Sequence, residues 1–132
     1  MKSPFDIMKS GAFCGSWRKY MEERLLKLRK LGCDVDGAMN RFLGDKEFYF
    51  ECFDELMIDP GFEELKKALD RHDIAVAFEN AHTLKGVLSN LGLLPLAGQM
   101  GQIVDTLRSG SEEGLVTKYQ ELEVQMKGFR SV

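Results

Sequence analysis

The chain has 132 residues, 44% hydrophobic and 30% charged, with a formal net charge of −3, which describes one folded domain with a real core. A pI near 5.4 argues against a nucleic-acid surface, which needs a basic face. No apolar run approaches the roughly 18 residues that span a bilayer, and the broken apolar stretch over Met1–Ser16 does not read as a signal peptide, so a cytoplasmic protein is expected.

Residues 1–16, punctuated by Pro4, Gly11 and Gly15, are expected to form a loose extension, with the domain occupying 17–132. A charged amphipathic helix is predicted from Trp17 to Leu31, with Tyr20 or Met21, Arg24, Leu25, Leu28 and Leu31 on one side and Gly32 ending it. Asp34 or Asp36 caps a short segment through Phe42, closed by Gly44. Asp45 then caps a helix over Lys46–Met57, whose Phe48, Tyr49, Cys52, Phe53 and Leu56 recur at helical spacing. Asp59-Pro60-Gly61 is a turn. Phe62, Leu65 and Leu69 mark a short helix, and Asp73 is the N-cap of the next.

That next helix carries the chemistry. Leu69 or Asp70, Ile74, Ala77, Ala81, Leu84, Leu88 and Leu91 recur at three- and four-residue steps and form its seam. At about 100° per residue, His82 lies roughly 100–180° from those positions and points at water. Ala75, Phe78, Glu79, Lys85, Gly86 and Ser89 share its face. Glycine inside a helix costs about 1 kcal/mol relative to alanine. The reason read for Gly86 is steric: without a side chain there, another protein can bring an acidic residue close to the imidazole. Lys85 offers positive charge one turn on, and Phe78 offers apolar area. Gly92 stops the helix.

Pro95 suits the first turn of the following helix, where Leu96, Met100, Ile103 and Leu107 form the seam. Ser111 is the expected cap of a last helix carrying Leu115, Tyr119, Leu122 and Met126. No strand pattern or internal repeat competes. The pattern specifies an all-α fold, an antiparallel four-helix bundle with additional short N-terminal helices.

Cys14, Cys33 and Cys52 lack CxxC spacing, with Cys52 read as a small hydrophobe on a helix face. His72 and His82 stand without a cysteine pair, so no metal site is expected. A self-contained kinase is excluded, since the chain has no P-loop and no room for an ATP domain.

The blocks Ala81-His82-Thr83-Leu84-Lys85-Gly86 and Asn90-Leu91-Gly92-Leu93 with Leu96, preceded by Arg41-Phe42-Leu43-Gly44-Asp45, Tyr49, Phe53, Asp59-Pro60 and Asp73, resemble the histidine-containing phosphotransfer (HPt) domains of two-component phosphorelays. The likeness runs from about Leu25 to the last helix and begins just after Met21, which makes Met21 a candidate start. It implies that His82 takes a phosphoryl group from a receiver-domain aspartate, or from a (hybrid) sensor histidine kinase, and passes it to a response-regulator receiver. Imidazole, with an ordinary pKa of about 6.5, is a neutral nucleophile near pH 7. Lys85 and Gly86 would assist at the acceptor, and Ala75, Phe78, Glu79 and Ser89 would form the docking surface. The receiver would supply Mg²⁺ and most catalytic groups, so the chain would be a monomeric phosphocarrier without cofactor or turnover of its own. The alternative is an adaptor that binds receivers without carrying phosphate.

One departure stands out. Family members often place Gln or Glu twenty-two residues after the histidine to orient its ring, and that position here is Val104. Gln99 and Gln102 are the candidate substitutes, and Asp105 follows.

Overall fold

A computed structural model of the protein describes residues 14–132, and the expected loose extension lies outside them except for its last three residues, which begin a helix. The described residues form helices and no strands: α1 Cys14–Lys30, α2 Val35–Arg41, α3 Lys46–Met57, α4 Gly61–Asp70, α5 Ile74–Asn90, α6 Leu94–Arg108 and α7 Leu115–Arg130. No helix among them is long and apolar enough to cross a membrane.

Local chemistry sets three of the helix starts. Asp34, Asp45 and Asp73 each accept a hydrogen bond from the backbone N–H three residues on, at Gly37, Phe48 and Val76, which satisfies donors that the first turn leaves free. The last helix is different. Ser111 Oγ accepts from Glu113 N and closes a turn, while the N-cap of α7 is the left-handed Gly114. The serine stands three residues before that N-cap, too far back to reach the helix.

The helices pack mainly on their sequence neighbours. The helix α4 lies against α5, α5 against α6, and α6 against α7, while α7 returns to both α4 and α3. Thus the ten-residue α4, expected as a minor piece, supports the seam of α5. The first helix is not short, since α1 runs 17 residues, and Leu31 falls beyond its end and is exposed.

One contiguous core results, with Leu28, Phe50, Phe53, Leu65, Leu88, Leu96, Met100, Leu122 and Phe129 among its buried side chains. On α3 Tyr49, Phe53 and Leu56 are buried as expected, and the departure lies at Phe48 and Phe50. Phe50 is fully buried and Phe48 is 52% exposed, because α1 covers the Phe50 side with the Arg24 guanidinium 4.2 Å from the ring centroid.

Two buried phenols tie distant segments. Tyr49 donates to Leu91 O at 2.6 Å, joining α3 to the end of α5, and Tyr119 donates to Phe62 O at 2.8 Å, joining α7 to α4. Burial pushes the Tyr119 phenol up to about 12 and the Tyr49 phenol well above its ordinary range, so both stay protonated donors. Gly92, at φ 72°, closes α5 where a β-carbon would overlap the Asp34 carbonyl, and its own carbonyl accepts from Asp34 N at 2.8 Å. Gly92→Ala is therefore expected to lower stability by about 2 kcal/mol or more in urea denaturation, through left-handed strain and overlap together.

Candidate functional site

The exposed face of α5 is a consequence of its seam. Ala77, Ala81, Leu84 and Leu88 are buried against the neighbouring helices, which turns His82 outward into solvent. Asp73 fixes the start of the helix, and Gly92 with the Tyr49 hydrogen bond fixes its end. Arg41 adds a clamp, donating to Asn90 O at 3.0 Å and Ser89 O at 3.1 Å. The imidazole thus rides on a helix held at both ends.

Around it, Ala75, Glu79, Gly86 and Ser89 are exposed, and Phe78 and Lys85 are half-buried. Ser89 Oγ donates to Lys85 O at 2.8 Å within the helix. A β-carbon built on Gly86 would meet nothing within 4 Å, so no contact inside the fold requires glycine there. Gly86→Ala is accordingly expected to raise stability by up to about 1 kcal/mol, checked by its denaturation midpoint. The Phe78 and His82 rings lie 5.7 Å apart between centroids at an interplanar angle of 33°.

Two residues of α6 join the site that the spacing of the sequence did not single out. Arg108 sets its guanidinium carbon 5.8 Å from the centroid of Phe78 and lies 3.6 Å from Asp105. The Lys85 side chain crosses Gly101, with Cε 3.6 Å from where a β-carbon would stand. Neither contact has a local signature in the sequence. Together they show that α5 and α6 run in opposite directions, and they bring Val104 level with His82.

Val104 is fully buried and offers the ring no hydrogen bond. The two candidate substitutes do not reach it either. Gln102 is exposed. Gln99 is half-buried and makes no hydrogen bond to the ring. Its Oε1 is buried without a partner, as is Oε1 of Gln125 on α7. Among the described residues, no hydrogen bond is made to the His82 ring.

Cys33 and Cys52 are free and half-buried; desolvation holds the Cys33 thiol up at about 11, which makes it a poor nucleophile near neutral pH. His72, at φ 60°, pairs with Glu112 at 2.9 Å across two exposed loops. Among the described residues no group of three His, Cys, Asp or Glu side chains is placed to hold a metal ion.

The outer face of α5 thus presents an exposed imidazole flanked by a lysine and an unobstructed glycine. The model of the Hpt domain family matches residues 52–131, from within α3 to the end of α7, and the chain belongs to that family. Hpt domains are phosphocarrier modules that exchange phosphoryl groups with receiver domains and kinases in two-component signalling. Searches of curated proteins and of solved structures returned no significant match.

Proposed function

We propose that the protein is a phosphorelay carrier whose His82 accepts a phosphoryl group from a receiver aspartate, or from a sensor histidine kinase, and delivers it to a response-regulator receiver. The observation that carries this reading is the exposed His82 imidazole beside Gly86, whose missing side chain faces open space. An unreacted ring nitrogen attacks the phosphorus of the aspartyl phosphate. The N–P bond forms, the P–O bond to the aspartate breaks, and the carboxylate leaves with the bonding pair. The reverse set of changes delivers the group to the second receiver.

Catalysis of such a transfer is positioning and charge stabilisation. Lys85 supplies positive charge one turn from the acceptor, and Ala75, Phe78, Glu79, Gly86 and Ser89 supply the docking surface. The receiver brings Mg²⁺, and the carrier has no turnover of its own. The pairing of α4–α7 in sequence order supports an antiparallel four-helix bundle that closes its own core, as a monomer would.

The test is incubation with a panel of phosphorylated receivers and hybrid kinases, followed by acid and alkali treatment of the product. Acid-labile, alkali-stable label on this chain is the expected result. Binding to receivers without label would identify a non-transferring adaptor instead. The bulk of Gly86→Gln is expected to cut transfer at least about tenfold while leaving the helical circular dichroism unchanged; unimpaired transfer would remove the steric role of Gly86.

A further inference from the structure

We infer that the His82 imidazole is oriented by Phe78 and Arg108, through ring stacking, in place of a hydrogen bond from α6. This rests on the reading of His82 as the phosphoryl acceptor, and it makes Phe78 a positioning residue in addition to a docking one. Three observations carry it. The residue level with the imidazole on α6 is the buried Val104, which has no polar atom to offer. Among the described residues the ring makes no hydrogen bond, so nothing polar fixes its rotation about the Cβ–Cγ bond. Its contact with a fixed neighbour is the Phe78 ring, one turn earlier on the same helix at 5.7 Å and 33°.

Phe78 can do this because it is itself held. It is half-buried and packed on the core, and Arg108 from the last turn of α6 stands over its ring at 5.8 Å. Asp105 steadies the guanidinium from one turn back. An aromatic neighbour at this distance attracts the imidazole in offset or tilted geometries, and the cation over Phe78 restrains the phenyl ring in turn. The stack narrows the range of imidazole orientations and leaves the outer ring nitrogen free for the incoming phosphorus. A hydrogen bond would also select the tautomer; a stack selects only the orientation.

The experiment is heteronuclear NMR of the His82 ring in the full chain, without any donor, for the wild type, Phe78→Leu and Phe78→Tyr. It is paired with the rate of transfer from a saturating phosphorylated receiver. Phe78→Leu should abolish the ring-current displacement of the His82 ring protons, and Phe78→Tyr should retain it. The transfer rate at saturation should fall about three- to tenfold in Phe78→Leu, the bias that one aromatic pair supplies. It should recover in Phe78→Tyr, with the Kd for the receiver moving less than the rate. Arg108→Gln should give a smaller displacement and an intermediate rate. Unchanged His82 resonances in Phe78→Leu would overturn the inference. So would a loss lying wholly in Kd, which would return Phe78 to docking alone. The resonances are read before any phosphoryl donor is added, so a wild type that takes no phosphate would refute the carrier reading and leave the stack to be judged on its own signal.

Discussion

Replacing His82 with glutamine is expected to abolish acid-labile phosphorylation of this chain by every donor that labels the wild type. Glutamine keeps a polar side chain of similar size but has no ring nitrogen with a nucleophilic lone pair, so the N–P bond cannot form. The loss should be complete, because no other imidazole stands near. His72, the second histidine of the sequence, lies in the α4–α5 connection with its Nδ1 against Glu112. Stability should barely move. His82 is exposed and takes no part in the buried seam of α5, and surface substitutions of this kind shift stability by about 0.5 kcal/mol or less. The thermal midpoint should therefore stay within about 3 °C. Residual label in the variant would move the acceptor elsewhere.

The second large effect concerns stability, at the contact between α1 and α3. Arg24 is 4% exposed, yet it carries a full charge. Its guanidinium donates to Asp54 at 2.6 and 3.4 Å and lies within 5.4 Å of the ring centroids of Tyr20, Phe50 and Phe53. Its Nε has no partner. Asp54→Ala leaves that cation buried without its counter-ion, a defect that costs about 3–5 kcal/mol when the pair is fully enclosed. The Asp54 side chain is 34% exposed, so water screens the pair and the expected loss is nearer 2 kcal/mol. Urea denaturation should show it as a lower midpoint. Adding Arg24→Met to Asp54→Ala should recover part of the loss, since a long apolar side chain fills the aromatic slot without a charge. Strict additivity of the two substitutions in a double-mutant cycle would show that the ion pair contributes nothing.

The reach of the forces involved separates what could be read along the chain from what could not. Helix starts at Asp34, Asp45 and Asp73 are legible because a cap acts within three residues. The outward direction of His82 is legible because helical periodicity alone sets it once Ala77, Ala81, Leu84 and Leu88 are recognised as a seam. The lysine and glycine beside it follow from the same geometry. A local rule also fails where two caps compete within a few residues, as at Ser111 and Gly114.

By itself, the sequence determined an all-helical chain, the bounds of most helices to within a residue or two, and which residues share the face of His82. Tertiary structure alone decided the rest. It buried Phe50 instead of Phe48, because α1 covers that side. It made α4 a supporting wall for α5, left Gln99 Oε1 buried without a partner, and brought Arg108 over Phe78. Each of these depends on how one helix is rotated against another, and that rotation is set by the sum of many contacts between residues tens of positions apart. Periodicity says which face of a helix is apolar; only packing says what that face, and the one opposite it, will meet.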